Sequence, residues 1–140
     1  MMKRKIGLDV GDVRIGVAVS DLMGICANPR ETYVRKKDDA EADAEYFADY
    51  ARREDADAFV VGLPRNMDGT EGPRAAITRE FGDLLKERSG LDVIYTDERL
   101  TTVSAERMLI GADVRREKRK KVIDKVAATI ILQSYLDSKR

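Results

Sequence analysis

The sequence predicts an α/β protein in which a mixed β-sheet, made of an antiparallel hairpin and parallel strands, is flanked by α-helices. Two strand-like segments with a short turn between them open the chain. Two continuous apolar runs follow later, and helical patterns separate them. Because 140 residues is the size of one ordinary domain, we expect a single domain over residues 1–140.

The first strands of the sheet are predicted from β-rich segments at residues 5–10 and 14–20. Gly11, Asp12 and Val13 separate the two segments, which are therefore expected to form a hairpin. Residues 31–35 are predicted to add a third strand at the edge of the sheet.

The middle of the chain alternates between helix and strand patterns. Apolar residues at helical spacing over residues 38–51 predict a surface helix with acidic residues on its outer face. The apolar run 58–63 predicts a buried parallel strand that ends at Pro64. Pro73 and Gly90 bracket a second helix. Its core side is predicted to consist of Ile77, Phe81, Leu84 and Leu85.

The last third of the chain predicts one more strand and two helices. Residues 91–96 form an apolar run that predicts a buried strand. A short helix is expected from about residue 102, and a long one from about residue 120 to residue 136. The small side chains of Ala127 and Ala128 are predicted to let the long helix approach the sheet closely.

Composition excludes several classes of function. With 43% hydrophobic and 37% charged residues the chain is too apolar to be disordered and too charged to hide a membrane span. The absence of histidine excludes imidazole-assisted nucleophiles and histidine-built zinc sites. The single cysteine, Cys26, permits no internal disulfide. We therefore expect a soluble cytoplasmic protein with no membrane association, whose chemistry depends on carboxylates, lysines or metals.

Acidic residues at three places in the chain are candidates for that chemistry. Asp9 lies within the apolar first strand, either as a functional charge that needs compensation or as a cap of the hairpin turn. Asp97 and Glu98 follow an apolar strand at the end where α/β sheets bind ligands, although a helix cap is the alternative. Asp124 shares its helical face with apolar residues and is predicted to point inward. For Asp124 the alternative is an ion pair with a neighbouring lysine or arginine.

Inward acids from distant parts of the chain, without histidine or paired thiols, match the oxygen ligands that hard cations prefer. We therefore expect Mg²⁺ or Mn²⁺ as the cofactor. Two such ions would activate a water molecule and stabilise the leaving oxygen during phosphodiester hydrolysis.

Basic residues indicate where a nucleic acid would bind. Residues 115–121 contain six basic residues in seven, and Lys118, Arg119 and Lys120 are predicted phosphate contacts. A solvated charge run is the alternative. The loop at residues 62–73 follows a strand, opens a helix and carries Arg65, so that it is either an anion site or a structural turn.

Taken together, these segments resemble the YqgF family, also called RuvX. The family is described as Holliday junction resolvases and also as nucleases that mature small-subunit ribosomal RNA. The resemblance covers nearly the whole chain and rests on four ordered blocks. They read GLDVG with RIGVAVSD, VGLP with DGT, DERLTT, and DKVAA with ILQSYL, at residues 7–21, 61–70, 97–102 and 124–136.

The resemblance implies a ribonuclease H-like fold and catalytic, metal-binding acids at Asp9, Glu98 and Asp124. It implies a hydrolase that cleaves phosphodiester bonds in structured nucleic acid. The implied role is pre-16S rRNA processing in ribosome biogenesis, or alternatively Holliday junction resolution in DNA recombination and repair. Many related resolvases carry a fourth acid one turn further along the last helix, where this chain has alanines. Asp21 or Asp97 is a possible substitute.

The remaining expectations concern partners and competing functions. Arg14 and Arg99 join Arg65 as candidate nucleic-acid contacts. We expect the partner to be an RNA precursor or branched DNA, and the protein to be a monomer or a weak homodimer. The first block also resembles the phosphate loop of actin-like and sugar-kinase ATPases, which would make the chain a nucleotide-binding module. A nucleic-acid-binding module without catalysis is the third alternative.

Overall fold

The structure is a computed structural model that describes residues 3–66, 68–97 and 116–139; in the last range it describes side chains from residue 124 onward. The predicted short helix from about residue 102 lies outside the described residues. No helix in the described part of the chain is long and apolar enough to cross a membrane. In chain order the elements are β1 (Arg4–Val10), β2 (Arg14–Ser20), β3 (Ala27–Val34), α1 (Ala40–Arg53), β4 (Ala56–Leu63), α2 (Pro73–Ser89), β5 (Asp92–Asp97) and α3 (Arg116–Ser138).

The strands form one mixed sheet in the order β3-β2-β1-β4-β5. β1 pairs with β2 and β2 with β3 in antiparallel fashion, whereas β1, β4 and β5 run parallel. The predicted hairpin and the predicted edge position of β3 are confirmed, although β3 begins four residues earlier than predicted. The prediction that β5 is buried was wrong in degree: its central residues are half-buried, because among the described strands β5 pairs with β4 alone.

The two faces of the sheet carry different layers. One face packs large aliphatic and aromatic side chains such as Leu8, Val17 and Phe59 against α1 and α2. The other face packs Ala18 and Val60 against α3. The carboxyl end of β1 lies beneath the first half of α3, because the Asp124 backbone packs on Gly16, the residue that pairs with Asp9.

The core side of α2 differs from the prediction at Ile77, which is 49% exposed. Phe81 and Leu85 are buried as predicted, and Leu84 is half-buried. The buried stripe continues toward the amino end of the helix through Thr78 and Ala75. Ile77 lies off this stripe, so the helical spacing was predicted correctly but one of its positions was not.

The outer face of α1 also differs from the prediction at one acid, since Asp43 is completely buried. Its carboxylate accepts hydrogen bonds from Tyr33 Oη at 2.7 Å, Arg35 Nε at 2.9 Å and the Lys36 amide at 3.0 Å. These donors replace the water that a buried carboxylate loses. The cluster therefore fixes the segment after β3 against α1.

Candidate active site

Asp9 lies near the carboxyl end of β1 and is partly buried. In the antiparallel ladder it stands directly opposite Gly16 of β2. Residues opposite each other in such a ladder project to the same face of the sheet. Asp9 therefore projects to the face that α3 covers, at a position where its neighbour Gly16 has no side chain.

Helix α3 comes unusually close to the sheet at two glycines. A Cβ atom built on Gly16 would lie 1.8 Å from the carbonyl oxygen of Asp124, and one built on Gly7 would lie 2.7 Å from Leu132 Cβ. Both distances are shorter than real Cβ contacts, so only glycine permits this packing. The predicted close approach of the helix is confirmed, and it places the backbone of Asp124 over the strand position next to Asp9.

The Asp124 carboxylate accepts a hydrogen bond from Arg14 Nε at 2.8 Å. The two side chains are 20% and 30% exposed, respectively. The predicted inward orientation of Asp124 is confirmed, and the alternative explanation of an ion pair is realised as well. Arg14, predicted as a nucleic-acid contact, lies on the same strand and face as Gly16, two residues away.

Two acids considered as a fourth ligand lie elsewhere. Asp21 follows β2 at the end of the sheet opposite to Asp9, and its carboxylate accepts the amide hydrogens of Ile25 and Cys26. These backbone hydrogen bonds lower the pKa of Asp21. Asp97 ends β5 two residues after Tyr95, which packs on the α1 and α2 side of the sheet. Strand alternation thus directs Asp97 away from the face of Asp9.

The residues of the DERLTT block after Asp97 include two predicted site residues, Glu98 and Arg99, and both lie outside the described residues. The preceding Thr96 has a buried Oγ1 atom with no hydrogen-bond partner in the described part of the chain. It stands opposite Gly62 in the parallel pair of β4 and β5, two strands away from β1. Alternation with Tyr95 places Thr96 on the α3 face, the same face as Asp9.

The donor set at this edge consists of oxygen atoms. Within the described residues, Asp9 and Asp124 are the two acids predicted to be catalytic, and no group of three acids or cysteines that could hold a metal ion is found there. Carboxylate oxygens suit a hard cation such as Mg²⁺ or Mn²⁺. The residues present therefore fit the predicted metal, with Glu98 as the predicted third acid.

The hairpin turn after Asp9 is held by an arginine that sequence reasoning missed. Arg35 donates from its guanidinium to the Gly11 carbonyl at 2.9 Å and from its amide to the Val13 carbonyl at 2.8 Å. The same guanidinium is paired with the buried Asp43 carboxylate. Strand β3 thereby fixes the turn, and the exposed Lys36 and Lys37 follow immediately beside it.

The loop after β4 has the features of a structural turn. Asp68 Oδ1 accepts hydrogen bonds from both the amide and the hydroxyl of Thr70, and Asn66 bonds to Thr70 as well. Arg65 lies 3.8 Å from Glu71, whose carboxylate also binds Arg79. These contacts are those of a structural turn, and the prediction that Arg65 contacts nucleic acid stays a prediction.

The basic run before Asp124 begins α3. The helix includes residues 118–120, and residue 120 lies one turn before Asp124, while the three side chains lie outside the described residues. The prediction that Lys118, Arg119 and Lys120 contact phosphate therefore stays a prediction.

Comparison with known proteins adds independent information. The sequence model of the family described as RuvX, Holliday junction resolvase, matches residues 3–138. A relative from Ligilactobacillus salivarius with the name "Putative pre-16S rRNA nuclease" is 48% identical over 139 residues, which cover 99% of this chain and 95% of the relative.

Two solved structures are similar in fold. The fowlpox virus Holliday junction resolvase has a TM-score of 0.57 at 16% identity, over 96% of this chain and 99% of that chain. T. thermophilus RuvC in complex with Holliday junction substrate has a TM-score of 0.54 at 14% identity, over 98% and 95% of the two chains. The predicted ribonuclease H-like fold is therefore confirmed.

Proposed function

The chain belongs to the RuvX family, and on this basis we propose that it is a metal-dependent nuclease that hydrolyses phosphodiester bonds in structured nucleic acid. The observation that carries the proposal is the approach of α3 at Gly16, which brings Asp124 over the strand position beside Asp9. The proposal assigns a shared role to two carboxylates from segments more than a hundred residues apart, at the end of the sheet where this architecture binds ligands.

Asp9 and Asp124 would hold Mg²⁺ or Mn²⁺, with Glu98 as the proposed third ligand after β5. When bound, the cation would activate the attacking water and neutralise charge on the phosphate. The chain itself contributes positioning: the close packing at Gly16 holds the Asp124 backbone, and Arg35 holds the turn that follows Asp9. The hairpin and the helix would thereby hold the two acids in place.

The proposed substrate is a precursor of 16S ribosomal RNA. Support comes from the name of the Ligilactobacillus relative, which is nearly half identical to this chain over its whole length. Resolution of Holliday junctions is the second candidate function, because the family model carries that description. Both substrates present the same phosphodiester group, so the chemistry at the acids would be the same.

The test replaces each acid by its nearly isosteric amide, in Asp9→Asn, Glu98→Gln and Asp124→Asn. Each variant is expected to keep the circular dichroism of the parent and to lose most cleavage in Mg²⁺ or Mn²⁺. Asp21→Asn serves as the matched control, because Asp21 lies at the opposite end of the sheet, and should cleave normally. An acid whose amide variant keeps near-normal turnover would be a structural residue.

The same assay discriminates the two substrates and the metals. A precursor rRNA fragment and a four-way DNA junction are offered in parallel, each with Mg²⁺, Mn²⁺, Ca²⁺ or chelator. Ca²⁺ is expected to support binding but not cleavage, because the ion is larger than Mg²⁺ and its coordination geometry is more flexible. Cleavage that persists in excess chelator would refute the metal mechanism. Sedimentation on each substrate tests the predicted monomer or weak homodimer, since paired nicks in a junction need two active sites.

A further inference from the structure

We propose that Arg14 is an internal counter-ion of the metal site, which occupies Asp124 before the cation binds and turns to a substrate phosphate afterwards. This inference rests on the proposed function, because it concerns how the same two acids take up a metal. It assigns Arg14 a role that differs from simple phosphate binding, since the arginine and the cation would compete for one carboxylate.

The geometry of the ion pair supports this assignment. Arg14 contacts Asp124 through Nε alone, at 2.8 Å from Oδ2. Arginine and carboxylate frequently form two parallel hydrogen bonds, whereas this pair forms one, so that a single bond has to be released when a cation takes the carboxylate. Here the terminal nitrogens form no ion pair with any other described acid, and the side chain is 30% exposed. Arg14 therefore binds the carboxylate through one nitrogen, and its terminal nitrogens are not committed to another described acid.

The position of the pair adds a second argument. Arg14 and Gly16 lie on the α3 face of β2, and Asp9 stands opposite Gly16 on the same face. A cation shared by Asp9 and Asp124 would therefore lie within a few ångströms of the Arg14 charge. Near a protein surface, charges at that separation interact strongly compared with thermal energy. The bound cation thus weakens the hold of Arg14 on Asp124, and a phosphate offers the released guanidinium a new anion.

Arg14→Gln separates charge from hydrogen bonding. The glutamine Nε2 occupies the same place along the side chain as the arginine Nε, so the hydrogen bond to Oδ2 can persist while the positive charge disappears. Isothermal titration with Mn²⁺ alone, in the absence of nucleic acid, measures the result. We expect Arg14→Gln to bind Mn²⁺ at least about tenfold more tightly than the parent protein, because a repulsive charge has been removed.

Three further proteins make the measurement interpretable. Arg74→Gln is the matched control for charge: Arg74 pairs with Asp12 in the hairpin turn at the same edge and does not touch Asp124, so its Mn²⁺ affinity should equal that of the parent. Arg14→Lys retains the positive charge and should also bind Mn²⁺ within about threefold of the parent. Asp124→Asn should lose the site. Arg14→Lys also provides the measurement to be used if Arg14→Gln does not fold.

Each outcome has a definite meaning. Tighter Mn²⁺ binding in Arg14→Gln, with Arg14→Lys and Arg74→Gln unchanged, supports the counter-ion. Equal affinity in Arg14→Gln overturns it, and weaker affinity overturns it in favour of an arginine that orients Asp124. If Arg14→Gln does not fold, tighter Mn²⁺ binding by the charge-retaining Arg14→Lys would overturn the proposal as well. A parent protein with no Asp124-dependent Mn²⁺ site would refute the proposed metal mechanism itself, which keeps the two failures distinct.

Discussion

The replacement of Gly16 by alanine is the sharpest test of how the fold builds the site. A Cβ atom at this position would lie 1.8 Å from the carbonyl oxygen and 2.3 Å from the carbonyl carbon of Asp124. Real Cβ atoms essentially never come within 3.0 Å of such atoms, so the helix backbone must retreat by more than about 1 Å. The obstacle is backbone, and rotation of a side chain cannot relieve the clash.

Two magnitudes follow from that displacement. Overpacking of a core typically lowers the free energy of unfolding by about 1 to 3 kcal/mol, and we expect the upper part of this range because α3 must move as a unit. A displacement of about 1 Å at a catalytic group costs roughly a hundredfold in rate. Gly16→Ala should therefore lower both the midpoint of chemical denaturation and the cleavage rate, the latter to about 1% of the parent.

Gly7→Ala is the matched control, because Gly7 contacts the same helix two turns further along. Its Cβ atom would meet Leu132 Cβ at 2.7 Å and the Ala128 carbonyl oxygen at 2.9 Å, a much smaller overlap. Denaturation curves and single-turnover cleavage of both variants are compared. We expect a loss of stability in both but a loss of cleavage beyond about tenfold in Gly16→Ala only. Parental stability and cleavage in Gly16→Ala would show that α3 does not rest on β2 as described.

The remaining predictions concern charge, burial and pH. Lys36 and Lys37 are replaced together by glutamine, and affinity for nucleic acid is titrated at several salt concentrations. If both lysines contact phosphate, the slope of log affinity against log salt should become smaller in magnitude by about 1.4 to 1.8. Asp43→Asn should lower the free energy of unfolding by about 3 kcal/mol, because it leaves the partly buried Arg35 guanidinium without its charge partner; urea denaturation tests this. Burial and the hydrogen bond to Glu31 raise the pKa of Tyr46 from its usual 10.0 to about 12. The folded state therefore favours the protonated phenol, and this contribution to the free energy of unfolding is complete below pH 10 and lost between pH 10 and 12. In that window Tyr46→Phe should show a shallower decline of the unfolding free energy than the parent.

Local signals predicted most of the secondary structure. The hairpin was marked by Gly11 between two β-rich segments, and α2 by Pro73 at its start and Gly90 at its end. Gly90 has a φ of 72°, the left-handed conformation that ends a helix, which is why the residue type was informative. These features depend on residues a few positions apart, so the sequence shows them directly.

Tertiary partners could not be predicted in the same way. Asp43 occupies an acidic stretch, and nothing local indicates that Tyr33 and Arg35 would surround it. The edge position of β5 depends on strand order, which is a property of the whole sheet. The bond from Arg14 to Asp124 joins residues 110 positions apart. For Asp124 the sequence indicated an inward carboxylate and left open whether an arginine would be its partner.

The α3 face of the hairpin carries a signal that links fold and site. Between residues 6 and 19, the positions of β1 and β2 that face α1 and α2 are large and aliphatic, whereas the alternate positions facing α3 are small or charged. The second set is Gly7, Asp9, Arg14, Gly16 and Ala18. Glycine inside a strand is unfavourable, so two on one face need a compensating structural reason. That reason is the close approach of α3, which requires small residues over most of the interface. The charged residues left between them are Asp9 and Arg14, of which Arg14 binds the Asp124 side chain of that helix, and these are the residues proposed to take part in metal binding.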